Sequence, residues 1–263
     1  MRRGSLFWGI ILLLVGGLLL LNQLGYLQGV NIWSIIWAFF LIALGAWILW
    51  GAFFHKSAKP EHAVVPLEGA GQARLRLQHG AGRITIDANA GPGNLLEGDF
   101  NAGVDLDTRH NGDTLEVRMR TPTAIFPFDW FPGQSLDWSV GLARDVPLTL
   151  ELETGASDAR LDLSELRLSE LRLKSGASST ALTLPAHAGF TRVKIESGAA
   201  SVRLSIPQGV AANIRSHGGL SSINVDGTRF PRFGDAYRSA DYDSAANKAE
   251  IDVEMGVGSV TVA

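Results

Sequence analysis

The sequence predicts a chain in two parts, an N-terminal hairpin of two transmembrane helices followed by an all-β domain of β-solenoid-like stacked strands with repeats of about 21 residues. Three observations carry this. No charged side chain occurs between Leu6 and Phe54. Beyond that stretch the chain alternates apolar and polar residues with period two, as half-buried strands do. And glycine-centred segments recur, LKSGASSTALTLP at 173–185 being close to IESGAASVRLSIP at 195–207.

The hairpin comes first. Leu6 to Leu21 is a run of sixteen apolar or glycine residues, and Ile32 to Phe54 is a run of twenty-three interrupted only by Ser34. A spanning helix needs about 20 such residues at 1.5 Å each, so helices are expected over about 6–27 and 32–54 of a segment 1–55. The uncharged loop NQLGYLQGVN holds Gly25 and Gly29 and suits a tight connection, and Trp33 and Trp50 stand where tryptophan prefers the membrane interface. A cleaved signal peptide fits less well, because no small-residue cleavage site follows the first run and a second helix starts at once. Arg2 and Arg3 on one flank and Lys56 and Lys59 on the other favour the cytoplasmic side. The expectation is therefore a multi-pass cell-membrane protein with its N-terminus and β-domain cytoplasmic. A short linker over 56–66 would lead into a β-domain spanning 67–263.

The repeat organises that domain. With Gly176 as a mark, Gly80, Gly155, Gly198, His217 and Gly256 take the same place in other segments. Three residues before the mark stand Leu77, Leu152, Leu173, Ile195, Ile214 and Val253, and six after it Ile86, Leu161, Leu182, Leu204, Ile223 and Val262. Each unit is expected to be strand, turn, strand, with glycine at the turn because the backbone needs either a positive φ or a close approach to the next coil. His217 departs from the pattern, with Gly218 and Gly219 beside it to take over. A second turn residue follows nine places on, as Asn89, Ser164, Pro185, Pro207 and Asp226. Spacings of 19 to 22 residues between the marks at 155, 176, 198 and 217 are too short for helical repeats and suit stacked β-coils.

Signals of chemistry are sparse, so a non-enzymatic protein without cofactor or metal is expected. The six histidines share no ligand spacing and the chain has no cysteine. SGAS and its variants TGAS at 154–157 and SGAA at 197–200 recur in successive coils without matching histidine and acid, so they read as architecture rather than nucleophiles. SHGG at 216–219 and GAG at 80–82 fall on the repeat mark and precede no helix. The Asp105/Asp107 and Asp241/Asp243 pairs read as solvated strand faces. Nucleic acid is disfavoured: the 23 basic residues less Arg2 and Arg3 leave 21 against 26 acidic ones, a net −5 without a basic run.

Two places suggest contact. The stretch IFPFDWFPGQSLDW sets Phe126, Phe128, Trp130, Phe131 and Trp138 among prolines, either folded over an open end of the β-domain or exposed to a membrane or partner. The chain stops at Ala263 directly after VGSVTV, so the C-terminal strand is expected at a sheet edge. It would self-associate there or be covered by the segment 227–249.

The hairpin, RRGSLFWGIILLLVGGLLLLNQLG followed by IWSIIWAFFLIALGAWILW, resembles the transmembrane region shared by LiaI and LiaF membrane proteins. The part from DVPLTLELETGASDARLDLSELRLSELRLKSGASSTALTLP to IDVEMGVGSVTVA resembles the toast-rack β-domain of LiaF-like and adhesin-like proteins. The resemblance implies a membrane-anchored accessory protein of a bacterial cell-envelope stress response that acts on a partner such as a membrane sensor kinase. It supplies no catalytic residues. The alternative expectation is a surface-exposed adhesion or assembly module on the same anchor.

Overall fold

Period-two alternation in the sequence becomes period-two burial along six long strands. The computed structural model describes residues 37–38, 40–42, 45, 60–122 and 136–263. The expected membrane helices fall almost wholly outside them, although Trp37, Ala38, Phe40, Leu41, Ile42 and Gly45 are helical. Among the described residues no helix is long and apolar enough to cross a membrane.

The strands are β1 (Glu61–Pro66), β2 (Gln72–Asp87), β3 (Asn94–Phe100), β4 (Asp105–Asn111), β5 (Thr114–Arg120), β6 (Trp138–Leu142), β7 (Leu148–Asp162), β8 (Leu168–Thr183), β9 (Phe190–Ser205), β10 (Ala211–Val225), β11 (Arg232–Phe233), β12 (Ala236–Arg238) and β13 (Lys248–Val262). β1 lies within the stretch expected to be linker and pairs antiparallel with β3. The six long strands stack in parallel in the order β2-β7-β8-β9-β13-β10.

Each long strand bends into two arms at its glycine. In β8, Leu171, Leu173 and Ser175 point inward before Gly176, and Thr180 and Leu182 do so after it. Thr180 lies five positions after Ser175, an odd interval that would put them on opposite faces of a straight strand. The corner turns the chain so that both arms face one core. The first arms contribute Leu75, Leu77, Leu150, Leu152, Val193, Ile195 and Val253, and the second arms Ile84, Ile86, Leu161, Val202, Leu204 and Val260. Full burial of such a side chain stabilises by roughly 1.5–3 kcal/mol.

The glycines expected in turns, Gly80, Gly155, Gly176, Gly198 and Gly256, instead lie inside continuous strands at this corner, and none has a positive φ. Close approach explains the four beyond the first coil, whereas a Cβ on Gly80 meets no described residue within 4 Å. A Cβ on Gly176 would stand 2.9 Å from the Gly155 carbonyl oxygen, one on Gly198 2.8 Å from that of Gly176, and one on Gly256 2.7 Å from that of Gly198. Each coil's backbone fills the space that a side chain in the next coil would need. A left-handed backbone is required two residues later in two coils only, at Gly82 (φ +117°) and Gly258 (φ +145°).

His217 is not the mark of its coil. Gly218 pairs with Met255 and Leu220 with Val257, so Gly219 stands opposite Gly256. The core-facing residues of β10 are accordingly Ala212 and Ile214 in the first arm and Ile223 and Val225 in the second. A two-residue shift leaves period-two alternation unchanged, so the apolar pattern alone could not fix this register.

The C-terminal strand is not an edge. β13 runs between β9 and β10 and pairs along its length with both. β10, earlier in the chain, is displaced outward, and the covering piece drawn from segment 227–249, β12, pairs with Asn213–Arg215 of β10 alone.

Candidate interaction surface

The two arms share one core but present different outer surfaces. On the first arms the outward positions form rows across the stack. Two residues before the glycine stand Gln78, Glu153, Lys174, Glu196 and Glu254, with His217 next, and two further back Arg76, Glu151, Arg172, Lys194, Asp252 and Arg215. These rows ion-pair across strands and, at Lys194 and Glu196 of β9, along one strand. Arg76 Nη2 lies 2.9 Å from Glu153 Oε1, Lys194 Nζ 2.5 Å from Glu196 Oε1 and 3.6 Å from Glu254 Oε1, and Arg215 Nη1 3.5 Å from Glu250 Oε1. Gln78 Nε2 donates to Glu153 Oε2 at 2.7 Å. That bond, reinforced by Arg76, holds the Glu153 carboxyl below its ordinary pKa, and the Lys194 ammonium does the same for Glu196. A shallow trough of about 850 Å³ follows the corner, lined by Glu153, Lys174, Glu196, His217 and Glu254.

The corner itself is hydroxyl-lined. Ser157 Oγ donates to Thr154 Oγ1 at 2.9 Å, and Ser175 Oγ lies 2.9 Å from Ser178 Oγ and 2.7 Å from Ser197 Oγ. The SGAS words thus supply a small residue at the close approach and hydroxyls that satisfy one another around it. Among the described residues no cluster of histidine and acidic side chains could hold a metal ion.

On the second arms the outward rows lose charge along the stack. Three residues after the glycine the row reads Arg83, Asp158, Ser179, Ser201, Ser259, Ser222, and two further on Thr85, Arg160, Ala181, Arg203, Thr261, Asn224. The alternation pattern made these rows readable, but their uncharged ends over β13 and β10 become a feature only once the stacking order is known.

Of the aromatic contact candidates, Phe126, Phe128, Trp130 and Phe131 lie outside the described residues. Trp138 is a core residue, 1% exposed, and leaves the candidate surface. It opens β6, pairs with Ile84 of β2 and Phe100 of β3, and meets the rings of Phe100 and His79 edge-on at 5.3 and 5.0 Å. Buried His79 places Nε2 2.7 Å from the Leu136 carbonyl, which fixes the proton on that nitrogen. Its Nδ1 has no partner among the described residues, and burial lowers its pKa.

This arrangement, a bent parallel stack with a glycine corner, is that of a known class of bacterial β-domain. The model of the N-terminal domain of toast_rack, DUF2154, matches residues 54–205, and the LiaF transmembrane domain matches residues 7–64. The chain belongs to the toast_rack family, and its N-terminal segment is similar to the LiaF transmembrane domain. Its fold is similar to the crystal structure of a candidate cell adhesion protein from Clostridium sporogenes, with a TM-score of 0.71 at 23% identity, over 78% of this chain and 98% of that one. A candidate adhesin from Bacteroides fragilis aligns over 79% of this chain and 98% of its own at 8% identity, but its TM-score of 0.27 gives no guide to structure. No curated protein matches the chain.

Proposed function

We propose that the protein is a non-enzymatic, membrane-anchored regulator or scaffold in a bacterial cell-envelope stress response, acting through protein contact by its β-domain. The observation that carries this reading is the union in one chain of a LiaF transmembrane domain and a toast_rack domain. The rows of ion-paired side chains on the first arms give a wide, rigid, patterned surface suited to recognising a complementary charged partner. The flanking charges Arg2, Arg3, Lys56 and Lys59 favour the cytoplasmic side for the β-domain, and the likeness to the LiaF transmembrane domain points to a membrane sensor kinase as the partner.

A second reading, an outward-facing adhesion module on the same anchor, draws support from the fold shared with the Clostridium sporogenes protein. The two readings differ in the side of the membrane. The chain has no cysteine, so Ser244→Cys at an exposed position introduces a single reactive thiol. In intact cells a membrane-impermeant thiol reagent is expected to leave it unlabelled until the membrane is opened. Labelling in intact cells would overturn the regulator reading in favour of the adhesion module.

A further inference from the structure

The sheet ends in several edges among the described residues, and all but one carry features that resist strand addition. β1 holds Glu61, His62 and Pro66, with His62 Nδ1 3.0 Å from Asp99 Oδ1. β4 carries Asp105, Asp107, Arg109 and His110, with Arg109 Nη2 3.2 Å from Asp107 Oδ2. β11 and β12 are two and three residues long. β10 differs. Its first arm is covered by β12 at Asn213–Arg215, but from Ser216 to Val225 its outer side pairs with no strand among the described residues. Those ten residues, SHGGLSSINV, include no Asp, Glu, Lys or Arg.

The core is incomplete at the same place. Ile223 and Val225 face inward yet are only partly covered, whereas Val260 and Val262 beside them in β13 are 1% and 2% exposed. At the corner Leu220 is 79% exposed, with Val257, its partner in β13 and 52% exposed, alongside. An open hydrogen-bonding edge, an unfinished apolar layer and an exposed leucine thus coincide on one short segment.

We infer that the second arm of β10 is a dimerisation edge whose occupant is the same arm of a second copy of this chain. Charge decides between the arrangements open to two copies. Stacking this edge on β1 or β4 of the next molecule would set neutral backbone and apolar side chains against Glu61, Asp105, Asp107 and Arg109 and would propagate without closing. Antiparallel pairing with its own counterpart meets no charge, closes after two copies, and keeps inward residues opposite inward ones. Ile223 and Val225 then gain the apolar neighbours they lack, while Ser222 and Asn224 meet their counterparts on the outer face. A strand pair this short buries little area for two free proteins, but molecules anchored in one membrane meet at a raised effective concentration. The inference goes beyond the regulator reading and holds on either side of the membrane.

The test uses the full chain in isolated membranes, treated with a short membrane-permeant bismaleimide. Ser222→Cys and Asn224→Cys are expected to give a covalent dimer of this chain, and Ser179→Cys, on the same outer row in β8, to give none. Adding Asn224→Lys to Ser222→Cys is expected to abolish the product while leaving the thermal unfolding of the β-domain unchanged. Failure of both β10 cysteines to cross-link would overturn the inference, as would equal cross-linking at Ser179→Cys or a product that persists with the lysine. A cross-linked band whose second component is a different protein would assign the edge to a foreign strand and overturn the second copy as occupant.

Discussion

The first and second arms of the long strands are written by the same repeat and enclose the same core, yet they differ in their surfaces and in how they end. The first arms carry interleaved Arg, Lys and Glu and finish at both ends in further strands, β5 and β4 beyond β2 and β12 and β11 beyond β10. The second arms carry Ser, Thr and Asn toward β10 and continue past β2 into β6, β3 and β1, but at β10 no further strand covers them among the described residues. The difference shows that inward positions of such a stack are constrained by packing alone, which leaves outward positions and terminal coils free to specialise.

The junction between the arms offers the largest expected effect. Gly198→Ala places a Cβ against the Gly176 carbonyl, and the backbone must shift, at a cost of about 1–3 kcal/mol. Gly80 holds the same position in the first coil, but a Cβ there meets no described residue within 4 Å. Gly80→Ala should therefore unfold in urea near the wild-type midpoint while Gly198→Ala unfolds well below it. Equal losses in the two variants would mean that conformation, not close approach, demands the glycine.

The second arm contains a weakness of its own. Thr180 is 2% exposed with no hydrogen-bond partner for its hydroxyl among the described residues, at a position filled by Val202 in the next coil. Thr180→Val removes a stranded polar group at nearly constant shape and should raise stability by about 1 kcal/mol, read as a higher urea midpoint. A lower midpoint would show that the hydroxyl finds a partner.

A smaller effect belongs to the corner of the first coil. Burial lowers the pKa of His79, so its folded state favours the neutral ring. Stability from this group is complete above the unfolded histidine value near 6.5 and declines as pH falls from there through the lower folded pKa. Denaturation of wild type and His79→Gln across that window should show a steeper decline for wild type. Parallel profiles would remove His79 as the source.

Much of this architecture was legible in advance. Period-two runs through Leu171, Leu173 and Leu182 gave strands and core, and the spacing of Gly155, Gly176 and Gly198 gave the coil. What escaped was order and register. The C-terminal IDVEMGVGSVTV alternates like every other long strand, so nothing local tells it to enter between β9 and β10 rather than follow β10. His217 took the place of Gly219 because shifts of two preserve alternation. Trp138 was grouped with its aromatic neighbours in sequence, whereas pairing with β2 and β3 carries it into the core.

The comparison between arms rests on β13 being internal and the second arm of β10 being outermost. Hydrogen exchange along these two strands tests it most directly, in the full chain diluted in detergent so that copies are apart. Amides of residues 251–262 should be among the slowest in the domain, and those of residues 220–225 should include fast-exchanging positions on the open side. The reverse, a fast C-terminal strand beside a uniformly protected β10, would contradict the stacking order and the open edge together.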